Sequence, residues 1–167
     1  MRWIGGTLLA GLALLALTDC SQGTSNTANT AAAAAPPAPA APLPAWATAL
    51  IGKSLSATYP SKDGVCVGNV DTLDTTTAPP TLHGWAWDTV GKRPVAQLLV
   101  TDGQGDIVGA GESGAARPDV VANRKDVTTP NVGWAASVGT ATGDVQVYGV
   151  TGTSAVCLLG HMQVGAG

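Results

Sequence analysis

From Lys62 onward, apolar positions recur in short runs separated by Gly, Asp and Pro. Val132, Trp134, Ala136 and Val138 alternate with Gly133, Ala135 and Ser137, a period of two that predicts a strand with one buried face. Val145 and Val147 repeat the pattern around Gln146. Further strand-like runs occupy 64–70, 81–88, 95–101, 106–110 and 154–159. Asp102-Gly103-Gln104-Gly105 between two of them reads as a hairpin turn, because Asp and Gly supply the tight backbone geometry. About seven short strands at this spacing predict an all-β fold, a single antiparallel β-sandwich. No helix of ordinary length is predicted in this half, and Arg117-Pro118-Asp119-Val120-Val121 has room for one turn at most.

The first third has a different pattern. Arg2 and the terminal amine precede an apolar run from Trp3 to Leu17, shorter than the ~20 residues of a membrane span and suited to an export signal over 1–19. Leu17-Thr18-Asp19-Cys20 resembles a bacterial lipobox, which implies cleavage before Cys20 and lipidation of its thiol. Asp19 departs from the Gly, Ala or Ser of that pattern, and an export signal cut elsewhere is the alternative. Residues 20–45 carry no charge after Asp19, and 31–45 contain nine Ala and five Pro. Those prolines remove amide donors and block a helix, so the segment is expected to be a disordered, extended spacer. Residues 46–60 read as a short helix or lead-in strand packed on the edge of a domain spanning 61–167. In that reading Pro44 precedes a face of Trp46, Leu50 and Leu55.

Composition sharpens this division. Residues 1–60 hold 16 alanines and three charged side chains, whereas the remaining 16 charges lie in 61–167. About 107 residues suit one small domain. A net charge of −3 without a basic cluster argues against nucleic-acid binding. Three cysteines are odd for an exported chain. With Cys20 assigned to lipid, Cys66 and Cys157 form one disulfide pair, and two buried free thiols are the alternative.

Candidate chemistry is sparse. Gly109-Ala110-Gly111-Glu112-Ser113-Gly114 fits G-x-G-x-x-G, but Pro118 interrupts any following helix, so no nucleotide site or other cofactor is expected. Its glycines are read as a tight bend or close strand packing. His83 and His161 are the only histidines, no G-x-S-x-G surrounds a serine, and no metal-ligand spacing is present. Acids in Gly- and Thr-rich turns, such as Asp71, Asp74, Asp102 and Asp106, are expected to cap those turns. The chain is therefore not expected to be an enzyme or a metalloprotein; a small hydrolase would need His83 or His161 beside an acid in a pocket. His83, Trp85 and Trp87 alternate onto one strand face. They form either a platform that stacks on sugar rings or part of the core, with Trp85 and Trp134 buried and Trp87 the exposed one. Gly84-Trp85-Ala86 and Gly133-Trp134-Ala135 form an echo 49 residues apart, which suggests two sheet halves, each opening on one copy.

Gly84-Trp85-Ala86-Trp87-Asp88, Arg93-Pro94, Ile107-Val108-Gly109, Arg117-Pro118-Asp119-Val120 and Gly133-Trp134 occur in an order that resembles a bacterial module. It is the GWA…RPDV…GW β-sandwich domain found with cell-surface polysaccharide enzymes and O-antigen-related membrane proteins, and Cys66-Val67-Gly68-Asn69-Val70-Asp71 resembles its opening segment. The resemblance covers roughly 64–160 and implies a non-catalytic accessory role. Arg117 and Asp119 are expected to form an ion pair that locks a turn beneath a tryptophan, with ligand contact as the alternative. Together these readings predict an exported, lipid-anchored binding or scaffolding module of the cell envelope. A glycan is the expected ligand, and an envelope protein complex the alternative partner.

Overall fold

The computed structural model describes residues 38–39, 43–59, 65–139, 141–152 and 155–165. The residues expected to form an export signal, Cys20 and most of the expected spacer lie outside them. Seven strands form one antiparallel path: β1 Cys66–Asp74, β2 Thr81–Asp88, β3 Gln97–Thr101, β4 Ile107–Ala115, β5 Gly133–Ser137, β6 Gly143–Val150 and β7 Val156–Val164. Their spatial order is β7-β6-β3-β4-β5-β2-β1, and Arg93–Pro94 adds a two-residue piece to the end of β2. Two short helices, α1 Leu55–Thr58 and α2 Pro118–Asn123, accompany them.

The all-β, antiparallel expectation holds, but the architecture is a nearly closed barrel and not a sandwich. A sandwich would divide the ladder into two sheets, whereas one continuous hydrogen-bonded path links all seven strands here. Seven successively antiparallel strands leave the first and last running in the same direction. β1 and β7 therefore meet as a parallel seam, and among the described residues no ladder joins them. The seam is held by side chains. Cys66 and Cys157 form a disulfide with their Cα atoms 6.1 Å apart. A little further along, Gly68 lies against Leu159, and Gly160 lies against Val70. Bulges in β1 between Val70 and Thr72, and in β7 between Leu158 and Gly160, sit at the same level and interrupt both free edges.

The interior is filled by Trp134, Leu82, Leu98, Val100, Val145 and Val147 with their neighbours. Two further apolar clusters lie outside the barrel wall. One places Ala47 and Leu55 over Leu99, Ile107, Ala110 and Val156, with Leu43, Trp46 and Tyr148 at its margin. The lead-in segment is thus a series of turns ending in α1. It is bound by the Gly52 amide to the Ile107 carbonyl (2.8 Å), the Ile107 amide to the Lys53 carbonyl (2.9 Å) and the Leu55 amide to the Gly105 carbonyl (3.0 Å). The other places Val120 and Val127 over Trp87 and Val132. Coverage of both faces explains why β3 reads Leu98-Leu99-Val100 without alternation: Leu98 and Val100 point inward, and Leu99 points into the outer cluster. Within the spacer, Ala38–Pro39 pairs in parallel with Thr77–Ala78.

The predicted turn is present. Asp102 Oδ1 accepts the amides of Gln104 (2.9 Å) and Asp106 (3.0 Å), and Gly105 adopts φ +86°, a left-handed conformation that favours glycine. The G-x-G-x-x-G match lies on β4, where Cβ atoms on Gly109 and Gly111 would overlap the carbonyls of Ser137 and Ala135. These glycines allow close strand approach.

Candidate functional site

The echoed Gly-Trp-Ala segments do not open two separate sheet halves. They lie on neighbouring strands, β2 and β5, in a register that pairs Gly84 with Trp134 and Trp85 with Gly133. Each glycine therefore faces the other copy's tryptophan. Inside, the Trp134 ring occupies the place a Gly84 side chain would take. Outside, Trp85 lies opposite Gly133, where an added Cβ would overlap the Ala115 carbonyl and the aliphatic part of Arg117.

This arrangement reverses the expected exposures of the outer tryptophans. Trp87 is 1% exposed, covered by Val120, Val127 and Val132, whereas Trp85 and His83 are half-buried. The sequence places all three on one face, and that is correct. What alternation cannot show is that the 116–132 excursion folds back over the Trp87 end of the strand. Trp134 is buried as expected, but inside the barrel. The outer face at Trp85 is then a shelf. Arg124 Cζ lies 5.5 Å from the indole centroid, close enough for a cation–π contact, and exposed Asn69 is Trp85's partner on β1. Arg124 is itself held by Asp126 at 3.0 and 3.1 Å.

Arg117 and Asp119 form the predicted pair. Arg117 donates through Nε and Nη2 to the two Asp119 oxygens at 2.9 and 2.7 Å, a bidentate geometry. A third contact escaped the sequence: Arg117 Nη1 reaches Asp71 Oδ2 on β1 at 2.5 Å. Asp71 is drawn to this arginine instead of capping a turn, and Asn69 Nδ2 donates to its other oxygen at 2.7 Å. Hydrogen bonds donated by Arg117 hold the Asp119 carboxyl below its ordinary range, and donating to Asp119 and Asp71 pushes the guanidinium higher still. The cluster ties the start of α2 to the β1 bulge opposite the middle of the Trp85 strand. Asp74 does cap its turn, accepting from the Thr76 amide at 2.8 Å and hydroxyl at 2.6 Å, which lowers its pKa.

Two clefts lie away from the shelf. One, of ≈350 Å3, is lined by Val65, Asp88, Val90, Gly91, Arg93 and Gly152. Asp88 is buried at the end of β2, where Oδ1 accepts the amides of Val90 (3.0 Å) and Gly91 (2.7 Å). Arg93 approaches its other oxygen at 4.0 Å, and a Cβ on Gly152 would collide with that guanidinium. Asp88 therefore closes a turn. The other cleft is an open groove of ≈420 Å3 on β6 and β7, lined by Asp144, Gln146, Leu158, His161 and Gln163. Among the described residues no three His, Cys, Asp or Glu side chains converge as metal ligands.

The chain is thus a small all-β barrel with its side-chain chemistry on the outside of the wall. Compared with protein-family models, with curated proteins and with solved structures, it matches none.

Proposed function

We propose that this protein is a non-catalytic binding module of the bacterial cell envelope. It is exported by its first 19 residues, anchored through a lipid on Cys20 and held off the membrane by the Ala/Pro-rich spacer. Its ligand is a glycan. The observation that carries the ligand class is Trp85: a half-exposed indole on a rigid strand, bordered by Asn69, His83 and Arg124. An aromatic face supplies apolar contact to the C–H groups of a sugar ring, and the polar neighbours supply hydrogen bonds to its hydroxyls. The filled barrel interior supports an exterior site, because Trp134 and its neighbours occupy the space an enclosed ligand would need. The GWA…RPDV…GW order, which resembles domains associated with surface polysaccharide, points the same way. Here Arg117 and Asp119 support the shelf without themselves belonging to it.

A glycan array probed with the labelled chain tests this reading. Binding above background, weakened by Trp85→Ala, is the expected result. No binding to any glycan, together with an envelope protein recovered by crosslinking in cells, would replace the glycan with a protein partner.

A further inference from the structure

The groove on β6 and β7 is built by a break in alternation. In β7, Leu158 pairs with Tyr148 and Gly160 with Val147, so Leu159 is the extra residue of a bulge. Leu159 points into the core with Val145 and Val147, and the next outward residue is His161, three positions after Leu158 instead of two. The bulge thus aligns three cross-strand pairs on the outer face: Tyr148 with Leu158, Gln146 with His161, and Asp144 with Gln163. Bulges commonly re-aim side chains beside functional surfaces.

Most of the other acids among the described residues are held by neighbours. Asp71, Asp74, Asp88, Asp102, Asp119 and Asp126 are each engaged by a backbone amide, a hydroxyl or an arginine. Asp144, His161 and Gln163 make no side-chain hydrogen bond or ion pair among the described residues. Gln146 is oriented, since the Tyr148 hydroxyl donates to its Oε1 at 2.5 Å and leaves its amino group available as a donor. Burial pushes the Tyr148 pKa up, further from neutral pH than the ordinary phenol value, which already leaves the hydroxyl a donor. Between these groups Leu158 is 56% exposed, the most exposed large apolar side chain on any described strand.

We propose that this groove is a second saccharide site, one that takes a neutral pyranose unit. A carboxylate acceptor opposite an amide, and a pinned amide donor opposite an imidazole, match the paired donor and acceptor hydroxyls of a sugar ring. Leu158 contacts its C–H face. Asp144 is the one acid lining the groove among the described residues, and a carboxylate there disfavours an anionic sugar and strengthens hydrogen bonds from hydroxyls. The site lies on strands whose alternate residues are fixed in the core, so it is preformed. This inference rests on the glycan reading but concerns a different surface from the Trp85 shelf.

Affinity electrophoresis tests it, with the full chain in detergent run through native gels containing a neutral glucan, mannan, galactan or dextran. Wild type is expected to be retarded in at least one gel, and the Asp144→Ala/Gln163→Ala variant to bind that polysaccharide about tenfold more weakly. In 15N spectra, a matching oligosaccharide should shift the Gln146 and Gln163 side-chain amides of wild type, while the variant's backbone spectrum stays folded. Retardation that is lost in Trp85→Ala yet unchanged in the Asp144/Gln163 variant overturns the second site and leaves the glycan reading standing. A wild type retarded in no gel overturns the second site, while the glycan reading at Trp85 is then decided by the array.

Discussion

Gly84 and Gly133 show how much one absent side chain can decide. Each sits across the ladder from the other segment's tryptophan, and the space above Gly84 is filled by the Trp134 ring and the Asn69 carbonyl. Gly84→Ala should therefore cost about 3 kcal/mol of unfolding free energy by overpacking, read as a lowered urea midpoint with native-like secondary structure at zero urea. An unchanged midpoint would show that Trp134 can shift freely, contrary to the packing described. Thr101 presents the opposite case. It is fully buried, and its hydroxyl has no hydrogen-bond partner among the described residues. Thr101→Val should raise stability by about 1 kcal/mol, because the methyl keeps the volume without burying an unpaired polar group. At Asp119 the effect is pH-dependent. Its folded pKa is depressed, first by hydrogen bonds from Arg117. The pair thus contributes stability in full above the ordinary carboxylate range, and the contribution is lost as pH falls through the lowered folded value. Arg117→Gln should move the Asp119 midpoint up toward that ordinary range in a carboxyl-carbon NMR titration. A midpoint that stays put would mean that Arg117 does not hold it.

Among the elements, the seam between β1 and β7 depends most on a covalent bond. Neither strand has a ladder partner on that side among the described residues, and the disulfide joins them across a sequence separation of 91. Replacing both cysteines by serine should lower stability by about 4–5 kcal/mol, the loop-closure entropy restored to the unfolded chain. Dithiothreitol should shift the wild-type urea curve toward the variant's and leave the variant's unmoved. The 116–132 excursion is the second such element. It covers Trp87 through Val120 and Val127, and it is moored by Arg117 to Asp71 and by Arg124 over Trp85. Arg117→Ala with Arg124→Ala should loosen this cover. Amide exchange should quicken over 117–132 and Trp87 fluorescence become open to iodide, while Trp134 inside the barrel stays protected. Equal exposure of both tryptophans would instead indicate global unfolding.

At the scale of the molecule, an odd number of antiparallel strands gives the barrel a parallel meeting of its ends. The disulfide, paired bulges and close glycines concentrate at that meeting, where hydrogen bonds are missing among the described residues. The interior is filled, and the shelf at Trp85 and the groove on β6 and β7, the two proposed binding surfaces, present their polar groups on the outside of the wall. Anchoring belongs to this scale too. Metabolic labelling with a fatty-acid analogue should mark the wild-type chain and not Cys20→Ala. Equal labelling of the two would remove the lipid from the proposed function.

The strand content and the Asp102 turn were legible in the sequence, and close packing of the β4 glycines was one of the two readings it allowed. It also made Cys66 and Cys157 partners and Arg117 and Asp119 a pair. These depend on local geometry, on spacing of one or two residues, or on a count. Tertiary structure alone decided the barrel over the sandwich, because alternation assigns faces to a strand but not neighbours to a sheet. It exchanged the exposures of Trp85 and Trp87, since an outward face remains exposed only until another segment covers it. It brought Asp71 to Arg117 across 46 residues, and it aimed His161 beside Gln146 through a bulge that a strict period of two cannot anticipate. The two tryptophan segments looked like a repeat along the chain. In three dimensions each makes room for the other.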